Sequence, residues 1–120
     1  MATPNPKPYE IRERLFAFAC DVSRVAQKLH TRAGIGAALS AQLASAAVSA
    51  AANAEEADDG SSRRDFIAKE CIVLREVKET RLRLRVMEAL GEVSDSDKSL
   101  LDESTLLVRI ISTIIRNAGG

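Results

Sequence analysis

Three sets of residues in this 120-residue sequence have the types and spacing to do chemistry. The first is a polar row, Gln42, Ser49, Asn53 and Glu56, which with Ala46 recurs at spacings of 4, 3, 4 and 3 and so lines one face of a helix. Lys69, Glu76 and Thr80 downstream are placed to supply partners. Such a face either receives a ligand or partner, or forms a buried hydrogen-bond ladder that sets the register between helices or subunits. The second set is cationic: Arg75, Lys78, Arg81, Arg83 and Arg85 stand against only Glu76 and Glu79 over residues 75–85. Arg75, Lys78 and Arg85 share one helical stripe and could meet the phosphates of RNA or DNA, with Arg81 beside them. A solvated face with i,i+4 pairing, such as Arg75 to Glu79, explains the same pattern. The third set is the carboxylates Glu55, Glu56, Glu76 and Glu79.

The carboxylates do not make a metal centre. A di-metal site in a helical bundle needs inward Glu-x-x-His pairs, and the only histidine, His30, has Gln27 at the matching position. His30 fits a helix C-terminus, where a positive group complements the dipole. No GxSxG is present, and no histidine is placed to activate Ser40 or Ser49. The glycines form no phosphate loop. Cys20 and Cys71 lie far apart without a CxxC, which excludes a zinc or disulfide framework and leaves both expected as small core residues. The expectation is a non-enzyme with no catalytic residues, no metal, no cofactor and no small-molecule substrate. Seventeen basic residues balance seventeen acidic ones, so nucleic-acid binding would have to be local. Four aromatics, Tyr9, Phe16, Phe18 and Phe66, mostly at core spacing, leave little for stacking on bases. The opening MATPNPKPYE lacks the apolar stretch of a signal peptide. The alanine tract Ala37 to Ala54 is too weakly hydrophobic to be expected in a bilayer, so a cytoplasmic protein away from membranes is expected.

Helices must position all of these residues. The prolines at 4, 6 and 8 confine residues 1–8 to an extended arm. Ile11, Leu15, Phe18, Val22, Val25 and Leu29 then follow at spacings of 4, 3, 4, 3 and 4, which predicts a helix from about Tyr9 to His30, closed by Gly34 and Gly36. A second helix from about Ala37 holds eleven alanines in residues 37–57, which requires its neighbours to approach closely. Asp58 to Ser62 is a turn, and Ser62 with Asp65 starts a third helix that runs to Leu90 and ends at Gly91. Its 28 residues would span roughly 42 Å. Ser94 and Asp97 repeat the capping pattern for a fourth helix to about Asn117, followed by a tail at 119–120. Short loops favour antiparallel neighbours, so residues 9–118 are expected to form one all-α, up-down-up-down four-helix bundle.

The fourth helix is apolar over more than one stripe. Leu100, Leu107, Ile111 and Ile114 form one row, and Leu106, Ile110 and Ile115 widen it. The surplus predicts a homo-oligomer with Leu106, Ile110, Ile114 and Ile115 at its interface; the alternative is a helix buried centrally within one chain.

Three segments carry a family likeness: Gln42 to Glu56 with Ser49 and Asn53, then Ser62 to Lys69 with Asp65, Phe66 and Ile67, then Leu74 to Leu84 with Glu76, Glu79 and Thr80. Together they resemble the bacterial four-helix-bundle family encoded in 23S rRNA intervening sequences, to which the accessory proteins of diversity-generating retroelements are related. The likeness implies a homopentamer with a central channel and no known catalysis. In the retroelement branch it implies binding to nucleic acid and to a reverse transcriptase. This chain has Ser45 where the family usually has an arginine, lacks an aromatic pair near Leu82 and Arg83, and is neutral where the retroelement proteins are basic.

Overall fold

The computed structural model describes residues 8–32, 34–59 and 62–120, with side chains from Glu10 onward. The expected arm over residues 1–8 lies outside the described residues except for Pro8, which opens the first helix, where a missing N–H costs nothing. All regular structure in the described residues is helical: α1 (Pro8–His30), α2 (Ile35–Asp58), α3 (Arg63–Ala89), a 3-10 turn (Asp95–Asp97) and α4 (Ser99–Asn117).

Each helix forms for a local reason and is held by one buried face. In α1 the whole seam from Ile11 to Leu29 is buried. Each large side chain in it contributes about 1.5–3 kcal/mol through the apolar surface it removes from water. Gly34, at φ 95°, reverses the chain into α2. In α2 the buried face is Leu43, Ala47, Ala50 and Ala54, and both α1 and α3 pack on that helix. Methyl-sized side chains there let three helix backbones come close, so Ala50→Leu is expected to overpack the crossing and cost about 1–3 kcal/mol in chemical denaturation.

The third helix starts where Ser62 Oγ accepts the Asp65 N–H at 3.1 Å, as the capping pattern required. It ends in a Schellman motif: Glu92 N–H donates to the Met87 carbonyl and Gly91 N–H to that of Glu88, with Gly91 at φ 72°. Gly119, at φ 95°, ends α4 the same way. The start of α4 corrects the sequence expectation. Ser94 Oγ donates to the Asp97 carboxylate at 2.9 Å instead of capping a backbone N–H, so residues 95–97 make a 3-10 turn and α4 begins only at Ser99.

Consecutive helices pack on one another along their lengths, and α1 meets α4 more sparsely. That thinner seam carries a forked pair, Arg14 to Glu103, with Nε–Oε2 and Nη2–Oε1 both 2.8 Å. Arg12 at the start of α1 reaches Asp58 at the end of α2, Nε–Oδ2 2.7 Å, and Lys69 in α3 lies 3.6 Å from Glu56. At the opposite end, Arg32 pairs with Glu92 at 3.0 Å. By length and composition α2 could cross a membrane, with a mean hydropathy of 1.5. Here it is the helix that both α1 and α3 cover.

Candidate macromolecular interfaces

The basic stripe exists on the outer face of α3, but Arg81 beside it is used within the chain. Arg75, Lys78 and Arg85 are exposed. Arg75 lies 3.6 Å from its neighbour Glu76, while Lys78 and Arg85 have no ion pair among the described residues. Arg81 is corrected: one step round the helix from the stripe, it is half-buried and its Nε donates to Thr105 Oγ1 at 2.9 Å, tying α3 to α4. Arg83 turns the other way and pairs with Glu79 at 3.6 Å. The centre of the stripe is apolar. Leu82 is 57% exposed among the cations, and with Cys71 and Leu74 it forms a shallow hollow.

The polar row on α2 faces α3, but its hydrogen bonds run along the helices. Asn53 Nδ2 donates to the Ser49 carbonyl at 2.9 Å and to Ser49 Oγ at 3.3 Å. Thr80, fully buried, donates to the Glu76 carbonyl at 2.8 Å. Both hydroxyl and amide are satisfied within one turn, which removes the need for a partner across the seam. Lys69 to Glu56 is the pair that crosses it. Gln42 and Glu76 come together with Glu79 and Arg83 around a hollow of about 300 Å³ that is open to solvent.

The exposed large apolar side chains lie elsewhere than on α4. Ile110 is buried within the chain, and Leu106, Ile114 and Ile115 pack against its core. Outward-facing large side chains are instead Phe16, 61% exposed on α1, and Val48, 52% exposed on α2, together with Leu82 and Val86 on α3. Phe16 and Val48 flank a groove of about 540 Å³ between α1 and α2, floored by Ala19, Ser23 and Ala51. Cys20 lines this groove and Cys71 is exposed, which corrects the expectation that both are core residues. The signal was available in the sequence: Phe16 falls between Leu15 and Phe18, out of phase with the seam, and Val48 is one of the few large residues in the alanine tract.

No protein-family model matches the sequence, and no curated protein does. Among solved structures, a protein of unknown function from the S23 ribosomal protein family of Bacteroides thetaiotaomicron VPI-5482 matches with a TM-score of 0.83. The match covers 92% of this chain and 99% of that one at 24% identity. The fold is shared.

Within that fold one acidic group is out of place. Glu70 in α3 is 2% exposed, and its Oε2 has no hydrogen-bond partner. Burial, and secondarily the charge of Asp58, push its carboxyl up to about 7. Among the described residues no group of three His, Cys, Asp or Glu side chains is arranged to hold a metal ion. Ser40, the buried serine on α2, spends its hydroxyl on the Ala37 carbonyl at 2.8 Å.

Proposed function

We propose that this chain is the subunit of a non-enzymatic homo-oligomer, an antiparallel up-down-up-down bundle of the intervening-sequence family, pentameric as that family's likeness implies. It acts as an adaptor that presents the outer face of α3 to RNA or DNA, or to a nucleic-acid enzyme of reverse-transcriptase type. The observation that carries this reading is the exposed stripe Arg75, Lys78 and Arg85, two of whose cations have no acidic partner among the described residues. Repeated around an oligomer, three cations per subunit become a multivalent surface, which offsets the neutral net charge. The pairs Arg12 to Asp58 and Lys69 to Glu56 join the start of one helix to the end of the one beside it and support the antiparallel order. Membership of the family is supported by the shared fold with an S23 ribosomal protein family member.

A second reading, a scaffold that binds only protein, is favoured by one observation: Leu82 sits exposed at the centre of the cations, where phosphates gain nothing from it. Fluorescence anisotropy with a mixed-sequence single-stranded RNA separates the two. The adaptor reading expects affinity that falls steeply with salt. In the variant Arg75→Ala/Lys78→Ala/Arg85→Ala the slope of log affinity against log salt should shrink by about 0.7 for each phosphate no longer neutralised, about 2 in all. Equal, weak and salt-independent binding by both proteins leaves the protein-only scaffold.

A further inference from the structure

We infer that the nucleic acid is held as a duplex, by two adjoining rows of cations that grip phosphates without reading bases: Arg64, Arg75, Lys78 and Arg85 on α3, and Arg109 and Arg116 on α4. This rests on the nucleic-acid reading proposed above and names the form of the ligand and the second helix that holds it. Exposed Arg64 precedes Arg75 by eleven residues, three helical turns, and so lengthens the α3 stripe on the same face. From Arg64 to Arg85 the row runs about 32 Å, close to one turn of duplex. On α4, Arg109 and Arg116 are exposed and seven residues apart, on the face opposite buried Leu100, Ser104, Leu107 and Ile111. Thr105, which accepts from Arg81 of α3, lies one turn before Arg109, so the α4 row stands on the side of that helix nearest α3. Farther along the seam, Arg63 Nη1 lies 3.6 Å from the position a Cβ on Gly119 would take, so α4 numbers rise as α3 numbers fall. Arg109 therefore stands level with Arg75 and Lys78, and Arg116 level with the stretch between Arg64 and Cys71.

Charge sets this face apart from the rest of a neutral chain. Arg64, Lys78, Arg85, Arg109 and Arg116 make no ion pair among the described residues, and Arg75 lies 3.6 Å from Glu76. Glu79, at the α2 edge, is taken by Arg83 at 3.6 Å. Asp65 lies one turn before Lys69, on the side of α3 that meets α2, so Asp102 is the exposed acid that enters the face, at its Arg85 end. Six of the seventeen basic residues thus gather around one acid, which leaves eleven basic residues against sixteen acidic ones elsewhere and gives a neutral molecule a one-sided field. No aromatic ring accompanies the cations: Phe16 and Phe18 belong to α1, and Phe66 shares the row of buried Val73 and Val77. Single strands are held largely by bases stacking on rings, whereas a duplex keeps its bases stacked within itself and presents two lines of phosphate. Helices in contact lie about 8–10 Å apart, within the roughly 6–12 Å that separates those lines across the grooves of B-form DNA, so two rows meet two backbones.

The test is fluorescence anisotropy of the full chain, over a salt series, with an RNA duplex about two turns long, a DNA duplex of the same sequence and one strand of the RNA. Arg109→Ala/Arg116→Ala removes the α4 row at exposed positions, and Arg24→Ala/Lys28→Ala removes the same charge from α1 as a control, with circular dichroism as the check on folding. Wild type is expected to bind duplex more tightly than single strand. Loss of the α4 row should lower the duplex salt slope by about 0.9 for each phosphate, about 2 in all, and duplex affinity on the order of 50-fold at about 0.1 M salt. The single strand, held on α3 alone, should lose far less, and the α1 control should bind as wild type does. Whichever duplex binds better identifies the source of the phosphates, and either one supports the two rows. Equal losses for duplex and single strand, or no loss in the α4 variant, overturn the two-row duplex while the nucleic-acid reading stands on the Arg75, Lys78 and Arg85 variant. A matching loss in the α1 control reduces the effect to net charge and overturns it as well. A wild type that binds neither form overturns the nucleic-acid reading itself.

Discussion

Glu70→Gln is expected to stabilise the chain by about 2–3 kcal/mol at pH 8 and to have almost no effect near pH 4.5. The folded carboxyl titrates at about 7, raised from an ordinary 4.5 by burial and by Asp58. In the unfolded chain it ionises as any glutamate does. Between those two values the folded state holds a proton that the unfolded state has lost, so stability falls as pH rises through the window. Below it the cost is absent, and above it the cost is complete. At about 1.4 kcal/mol for each unit of difference, the full cost has a ceiling of about 3 kcal/mol. Glutamine keeps the shape and removes the charge. Urea denaturation of both proteins from pH 4.5 to 8.5 measures the difference directly. Parallel stability curves across that range would show that the Glu70 carboxylate finds solvent or a partner in solution.

The second large effect is a contrast between two phenylalanines two positions apart. Phe18→Ala should cost about 3–5 kcal/mol, a large share of an ordinary domain's stability, because Phe18 is 2% exposed and its removal leaves a cavity in the core it shares with Leu43 and Val77. Phe16→Ala should cost less than about 0.5 kcal/mol in a dilute, dissociated chain, since its ring already faces water. Denaturation midpoints for the two variants at low protein concentration check this. A large loss at Phe16 under those conditions would place its ring in the chain's own core.

Much of this arrangement is legible in the residues, where a pattern has one physical solution. The α1 seam, the alanine face of α2, the serine cap of α3 and the Gly91 stop each follow from periodicity or backbone freedom acting within a few residues. Glu70 is legible too. It occupies the same row as Val73, Val77, Leu84 and Met87, so its burial follows from the spacing that buries them. The start of α4 was not, because Ser94 and Asp97 satisfy each other as readily as they cap a helix.

Site residues divide along the same line. Composition and spacing by themselves determined four helices and a basic stripe on the third helix. The tertiary structure alone decided that Arg81 beside that stripe is used internally, because it meets Thr105 only when α3 packs on α4. It also decided where the apolar surplus lies. On α4 the packing buries Ile110 and Ile111 from both rows and half-buries the other large side chains, while the exposed large ones fall on α1, α2 and α3. Periodicity measures how wide a face is; only the packing of one helix on another fixes how much of it is covered.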